Sequence, residues 1–115
     1  MYEIIDLLNK CRVVRDFEIL EWVDEDELQL IRVKAKLTDR SILFINEANL
    51  KSGNKYSYHW QDERGRLRIR WDNAPHWKGL KTYPFHQHVG KQKPPLPSYE
   101  ITLKDVLKVI EEKIE

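Results

Sequence analysis

Tyr56-Ser57-Tyr58-His59-Trp60-Gln61-Asp62-Glu63-Arg64-Gly65-Arg66-Leu67-Arg68-Ile69-Arg70-Trp71 alternates twice between apolar and polar side chains. A period of two marks a strand with one dry face and one wet face. Tyr56, Tyr58 and Trp60, and then Leu67, Ile69 and Trp71, are therefore expected to face a core rather than to serve as a stacking platform. Ser57, His59 and Gln61, and then Arg66, Arg68 and Arg70, are expected to face solvent. Asp62-Glu63-Arg64-Gly65 supplies the turn. An even-membered turn sets Trp60 opposite Leu67, Tyr58 opposite Ile69 and His59 opposite Arg68. A slip of one residue would set Trp60 against Arg68, which the core penalises. The pair of strands thus predicts a hairpin with a polar, basic outer face.

Upstream, Val14 to Ala48 is rich in Val, Ile, Phe and Trp and is broken at Asp24-Glu25-Asp26 and Thr38-Asp39-Arg40. Three antiparallel strands follow from that punctuation. Val33, Ala35 and Leu37 alternate with Arg32, Lys34 and Lys36, whereas Ser41 to Asn46 is apolar on both faces, as suits a central strand. Ile4, Leu7, Leu8 and Cys11 have helical spacing within Tyr2 to Arg12. At the other end, Thr102 is a candidate N-cap with Asp105 three residues on, ahead of the stripe Leu103, Val106, Leu107, Ile110 and Ile114. The fold class expected is α+β: a five-strand antiparallel meander with an N-terminal and a C-terminal helix packed on one face. Residues 1–115 make one domain in this reading, with a helix over 1–12, the sheet over 14–72, an irregular His-rich and Pro-rich loop over 73–98 and a helix over 102–115.

A chain of 115 residues with 41% hydrophobic and 34% charged side chains has room for one core and is too apolar for disorder. Its formal charge of +1 conceals a segregation, because ten of the twenty Lys and Arg but only three of the nineteen acidic residues fall between residues 51 and 95. Cys11 is the only cysteine, which excludes an intrachain disulfide and thiolate zinc cages and fits a reducing cytoplasm. Leu7 and Leu8 beside it suggest a buried thiol. No apolar run approaches the ~20 residues of a membrane span, and the amino terminus lacks the basic start of a signal peptide. The expectation is a cytoplasmic protein with no membrane partner.

All four histidines, His59, His76, His86 and His88, lie within this basic segment, with Trp60, Trp71 and Trp77. Three readings stay open. His86-Gln87-His88 on an extended backbone points both rings the same way, so that with Asp72, His76 or His59 they form an N/O site for a divalent transition metal. Alternatively, two imidazoles act as general base and general acid while Arg68 and Arg70 stabilise charge on a phosphate, a chemistry that needs no cofactor. In that case a nearby arginine should lower the pKa of His59 and favour the base, a loop histidine beside Asp72 should have its pKa raised and favour the acid, and both His59 and His86 should lie off the core. In the third reading they are solvated loop histidines. Arg66, Arg68 and Arg70 on alternate positions, with Arg64 at the turn, are either an ordinary wet sheet face or a ladder at about 7 Å intervals matched to the phosphates of single-stranded RNA. Trp77 beside Lys78 is the aromatic expected to be exposed for stacking.

The strings Tyr56-Ser57-Tyr58-His59-Trp60-Gln61-Asp62, Arg70-Trp71-Asp72-Asn73-Ala74-Pro75-His76 and Phe85-His86-Gln87-His88-Val89 resemble the signature of the TumE-type toxins of prokaryotic toxin-antitoxin pairs. The likeness spans residues 30 to 112. Trp77 departs from it, since a second histidine often follows His76 in the family string. The resemblance implies a toxin encoded with a helix-turn-helix antitoxin as its protein partner, and by analogy with other small toxins an action on RNA. Together these readings predict a metal-independent endoribonuclease. His59, His76, His86, His88, Arg70 and Tyr58 form its catalytic set, with Tyr58, Asp72 or Asn73 orienting a histidine or the loop. Arg64, Arg66, Arg68, Trp77 and Lys78 bind RNA. The alternative metal set is Asp72, His76, His86 and His88; the non-catalytic alternative is a module that only binds protein or RNA.

Overall fold

The structure is a computed structural model, and it describes residues 2–75, 78–91 and 95–114. The chain begins with helix α1 (Tyr2–Lys10) and ends with helix α2 (Leu103–Ile114). Between them run β1 (Val14–Glu25), β2 (Leu28–Leu37), β3 (Ile42–Leu50), β4 (Gly53–Gln61), β5 (Leu67–Asp72), β6 (His86–Val89) and β7 (Leu96–Pro97). They form one antiparallel sheet in chain order, β1-β2-β3-β4-β5-β6-β7. The α+β class stands, but the sheet has seven strands where five were expected. The two additional strands come from residues 73–98, expected to be irregular: between its Pro and Gly breaks that segment holds a four-residue and a two-residue strand, too short to produce a readable alternation.

One face of the sheet carries the core. Ile31, Val33, Ala35, Leu37, Leu43, Ile45, Tyr58, Trp60, Ile69 and Trp71 are buried in one cluster with Ile4 and Leu8 of α1 and Leu103, Val106, Leu107 and Ile110 of α2. Each helix presents its apolar stripe to that face. Cys11 is buried there too; burial pushes its thiol pKa up, and its Sγ contacts Glu111 Oε1 at 3.2 Å. The start of α2 closes as a capping box: Thr102 N donates to Asp105 Oδ2 at 2.9 Å, and Asp105 N donates back to Thr102 Oγ1 at 3.4 Å. No helix among the described residues is long and apolar enough to cross a membrane.

Away from the bulge at Arg68 the β4–β5 hairpin keeps its expected faces, but not its expected register. Observed pairs are Ser57 with Asp72, Tyr58 with Trp71, His59 with Arg70, Trp60 with Ile69, and Gln61 with Leu67. Two local features cause this. Asp62 caps the turn by accepting from the backbone N–H of Arg64 and of Arg66, both at 2.9 Å, with Gly65 supplying a φ of 82°. Arg68 is then an extra residue, a β-bulge between the Trp60 and Gln61 pairs. The bulge restores the alternation, so Trp60 still meets an apolar partner, but His59 faces Arg70 and not Arg68.

Candidate active site on the open sheet face

The face opposite the helices is crossed by two rows of paired residues. One runs Lys34, Phe44, His59, Arg70, His88; the other runs Arg32, Asn46, Ser57, Asp72, His86. Each row is a consequence of period-two alternation combined with an in-register meander, which stacks every second residue across the strands. A cleft of about 710 Å³ lies on this face; Arg32, Asn46, Ser57, Arg70, Asp72 and Asn73 are among its lining residues, and Tyr83 and Pro84 form one wall.

Arg70 stands between two imidazoles. Its Nη1 donates to His59 Nδ1 at 3.3 Å, and His59 Nε2–H donates to Gln61 Oε1 at 3.1 Å, which assigns His59 as the neutral tautomer with its proton on Nε2. Burial, then the Arg70 charge, hold the His59 pKa below the usual imidazole value. On the other side, His88 is 26% exposed and its Nε2 lies 3.8 Å from Asp72 Oδ2, beyond hydrogen-bond range. A histidine beside Asp72 was expected to have a raised pKa. His88 has a lowered one, because burial outweighs the distant carboxylate and the charges of His86 and Arg70 add to the effect.

Asp72 is the hub of the second row. Its side chain is 8% exposed and accepts from Arg70 Nε at 3.2 Å and from Ala74 N at 3.0 Å, and its Oδ1 lies 2.9 Å from His86 Nε2. His86 Nδ1 lies 2.9 Å from the Pro84 carbonyl oxygen, and the His86 and His88 rings meet edge to face with centroids 5.1 Å apart. His86 was expected off the core. It is 2% exposed, closed off from solvent behind Asp72. Arg32 Nε donates to Asn46 Oδ1 at 3.0 Å and Asn46 Nδ2 to Ser57 Oγ at 3.1 Å, extending a polar strip along the cleft floor.

The remaining candidate residues are scattered. Tyr58 belongs to the helix face, 2% exposed, donating to Glu47 Oε2 at 2.7 Å; burial raises its pKa, and it points away from His59 because neighbours on a strand do. The arginine ladder does not form. Arg66 folds back onto Asp62 at 2.8 Å. Arg68, redirected by the bulge, bonds Asp39 at 2.8 Å and lies over the Trp60 ring, 4.9 Å from its centroid. Asp39 in turn bonds Ser41, whose Oγ accepts from Trp60 Nε1 at 2.9 Å. Arg64 and Lys78 are exposed, Asn73 braces the cleft by accepting from Tyr56 N at 3.0 Å and donating to Asn54 O at 2.9 Å, and His76 and Trp77 lie outside the described residues. Asn46 was missed in the sequence; its signal was a polar residue ending the apolar run Ile42 to Ile45.

Of the residues read as chemical, the structure therefore gathers His59, Arg70, Asp72, His86 and His88 on one wall. These fall within the same strings that carried the resemblance described above. No curated protein and no solved structure matches the chain. A family model described as Toxin TumE matches residues 4–114, all but the chain's outermost residues, and the chain belongs to that toxin family.

Proposed function

We propose that the protein is the toxin of a toxin-antitoxin pair and that it cleaves RNA by internal attack of a 2′-hydroxyl, without a metal. The observation that carries this reading is the cross-strand row His59, Arg70, His88, in which two imidazoles with lowered pKa flank one half-exposed guanidinium. Arg70 is placed to hold the scissile phosphate and to stabilise the charge that develops on it. A phosphate oxygen arriving at Arg70 Nη1 displaces the bond to His59 Nδ1 and frees that lone pair to take the 2′-hydroxyl proton. His88, across Arg70, is then the group that protonates the leaving 5′-oxygen. Asp72 orients Arg70 through its Nε. The cleft beside this row, with its strip of Arg32, Asn46 and Ser57, accommodates a neighbouring nucleotide. A helix-turn-helix antitoxin would neutralise the toxin by covering this open face, and the basic excess of residues 51–95 favours an acidic contact surface on it.

Single variants test the row. His59→Ala, His88→Ala and Arg70→Ala should each lower RNA cleavage by about 10²-fold or more and relieve growth inhibition, with far-UV circular dichroism unchanged. Full cleavage by all three variants would remove the catalytic reading and leave a protein that acts only by binding. Coexpression with the neighbour-encoded antitoxin should restore growth through a complex that weakens as salt rises.

A further inference from the structure

Asp72, His86 and His88 each bring one possible ligand atom into a cluster in which all three lie within 4.8 Å of one another. Two of the separations, 2.9 Å for His86 Nε2 to Asp72 Oδ1 and 3.8 Å for His88 Nε2 to Asp72 Oδ2, lie on either side of the ~3.4 Å that separates ligand atoms around a tetrahedral ion with bonds of ~2.0–2.1 Å. A second observation concerns His86 alone. Both of its nitrogens face acceptors, Nδ1 the Pro84 carbonyl oxygen and Nε2 the Asp72 carboxylate. With Nδ1–H donated to Pro84, Nε2 faces Asp72 Oδ1 across 2.9 Å, a place that a second proton on the ring or a metal ion can fill. Backbone-carbonyl fixation of the remote nitrogen is also how metal-binding histidines are oriented. Arg70 Nε and Ala74 N likewise hold the carboxylate from behind.

We infer that Asp72, His86 and His88 form a binding site for a divalent first-row transition metal ion such as Zn²⁺. Two imidazoles and a carboxylate suit such an ion rather than Mg²⁺ or Ca²⁺, which prefer all-oxygen shells. His88, 26% exposed, is the side from which the ion enters, and open coordination positions face solvent there. The site stands on geometry alone, independent of the proposed function. Its consequence rests on that function: an ion bound to His88 Nε2 removes that imidazole from the pair flanking Arg70, so the metal represses cleavage.

The test is a titration of the full-length protein, purified without a histidine tag, with Co²⁺ followed by its visible absorption, in the absence of RNA. Saturation at one equivalent, with competition by Zn²⁺, is expected. His88→Ala, at a half-exposed position, should weaken binding by at least about tenfold, and so should Asp72→Asn, while His59→Ala should leave it unchanged. No saturable signal at millimolar Co²⁺, or binding indifferent to His88→Ala, overturns the inference. Because no RNA is present, either result is read separately from whether the protein cuts RNA.

Discussion

His59 and His88 differ from solvated histidines in the direction of one quantity. Both are held below the ordinary imidazole value of 6.5, His59 chiefly by burial and then by Arg70, His88 chiefly by burial. Each is therefore neutral at pH 7. A transfer that needs one neutral and one protonated imidazole runs fastest between the two pKa values, and both lie below 6.5. The pH profile of RNA cleavage should accordingly be bell-shaped with its maximum on the acid side of 6.5, falling toward neutrality as the acid partner loses its proton. A maximum in the alkaline range would discard the pair. That His59 would be depressed by an arginine was legible from the alternation of β4 and β5. The depression of His88 was not, since it depends on how deeply a four-residue strand sits in a segment full of turn residues.

At the level of elements, what could be read depended on length and repetition. The two helices and the first three strands show in the sequence because many residues repeat the same choice of face. The Thr102-Asp105 box is a case where sequence and structure agree atom by atom. Its removal gives a stability prediction: Thr102→Ala should cost about 1 kcal/mol, seen as a lower urea midpoint with an unchanged slope. Register was a different matter. It depends on Asp62 accepting two backbone N–H groups and on one extra residue at Arg68, neither of which alters the hydrophobic pattern. Faces were thus legible except at the bulge, where Arg68 turns onto Trp60, and pairings were not. The same bulge separates Arg68 from Arg70: one is committed to Asp39 and Trp60, the other remains beside His59.

Over the whole molecule, labour is divided between the two faces of one sheet. The helices bury the first face, and the polar rows occupy the second. α2 contributes Leu103, Val106, Leu107 and Ile110 to the core, each fully buried. At about 1.5–3 kcal/mol per side chain, the four together contribute about 6–12 kcal/mol, comparable with the 5–15 kcal/mol by which a domain of this size is stable. A chain stopped after Glu100 should therefore lose cooperative urea unfolding and expose Trp60 to solvent, measurable as a red shift of its fluorescence. The strictly sequential strand order carries this further, into the time of synthesis. Strands add one by one as they emerge, His88 arrives with β6, the sixth of the seven strands, and α2 follows later still. A nascent chain thus carries Arg70 and His59 without their partner, over a sheet whose apolar side has α1 but still lacks α2. On the proposed mechanism, a ribosome-bound chain that ends before His88 lacks the general acid and should not yet cleave RNA.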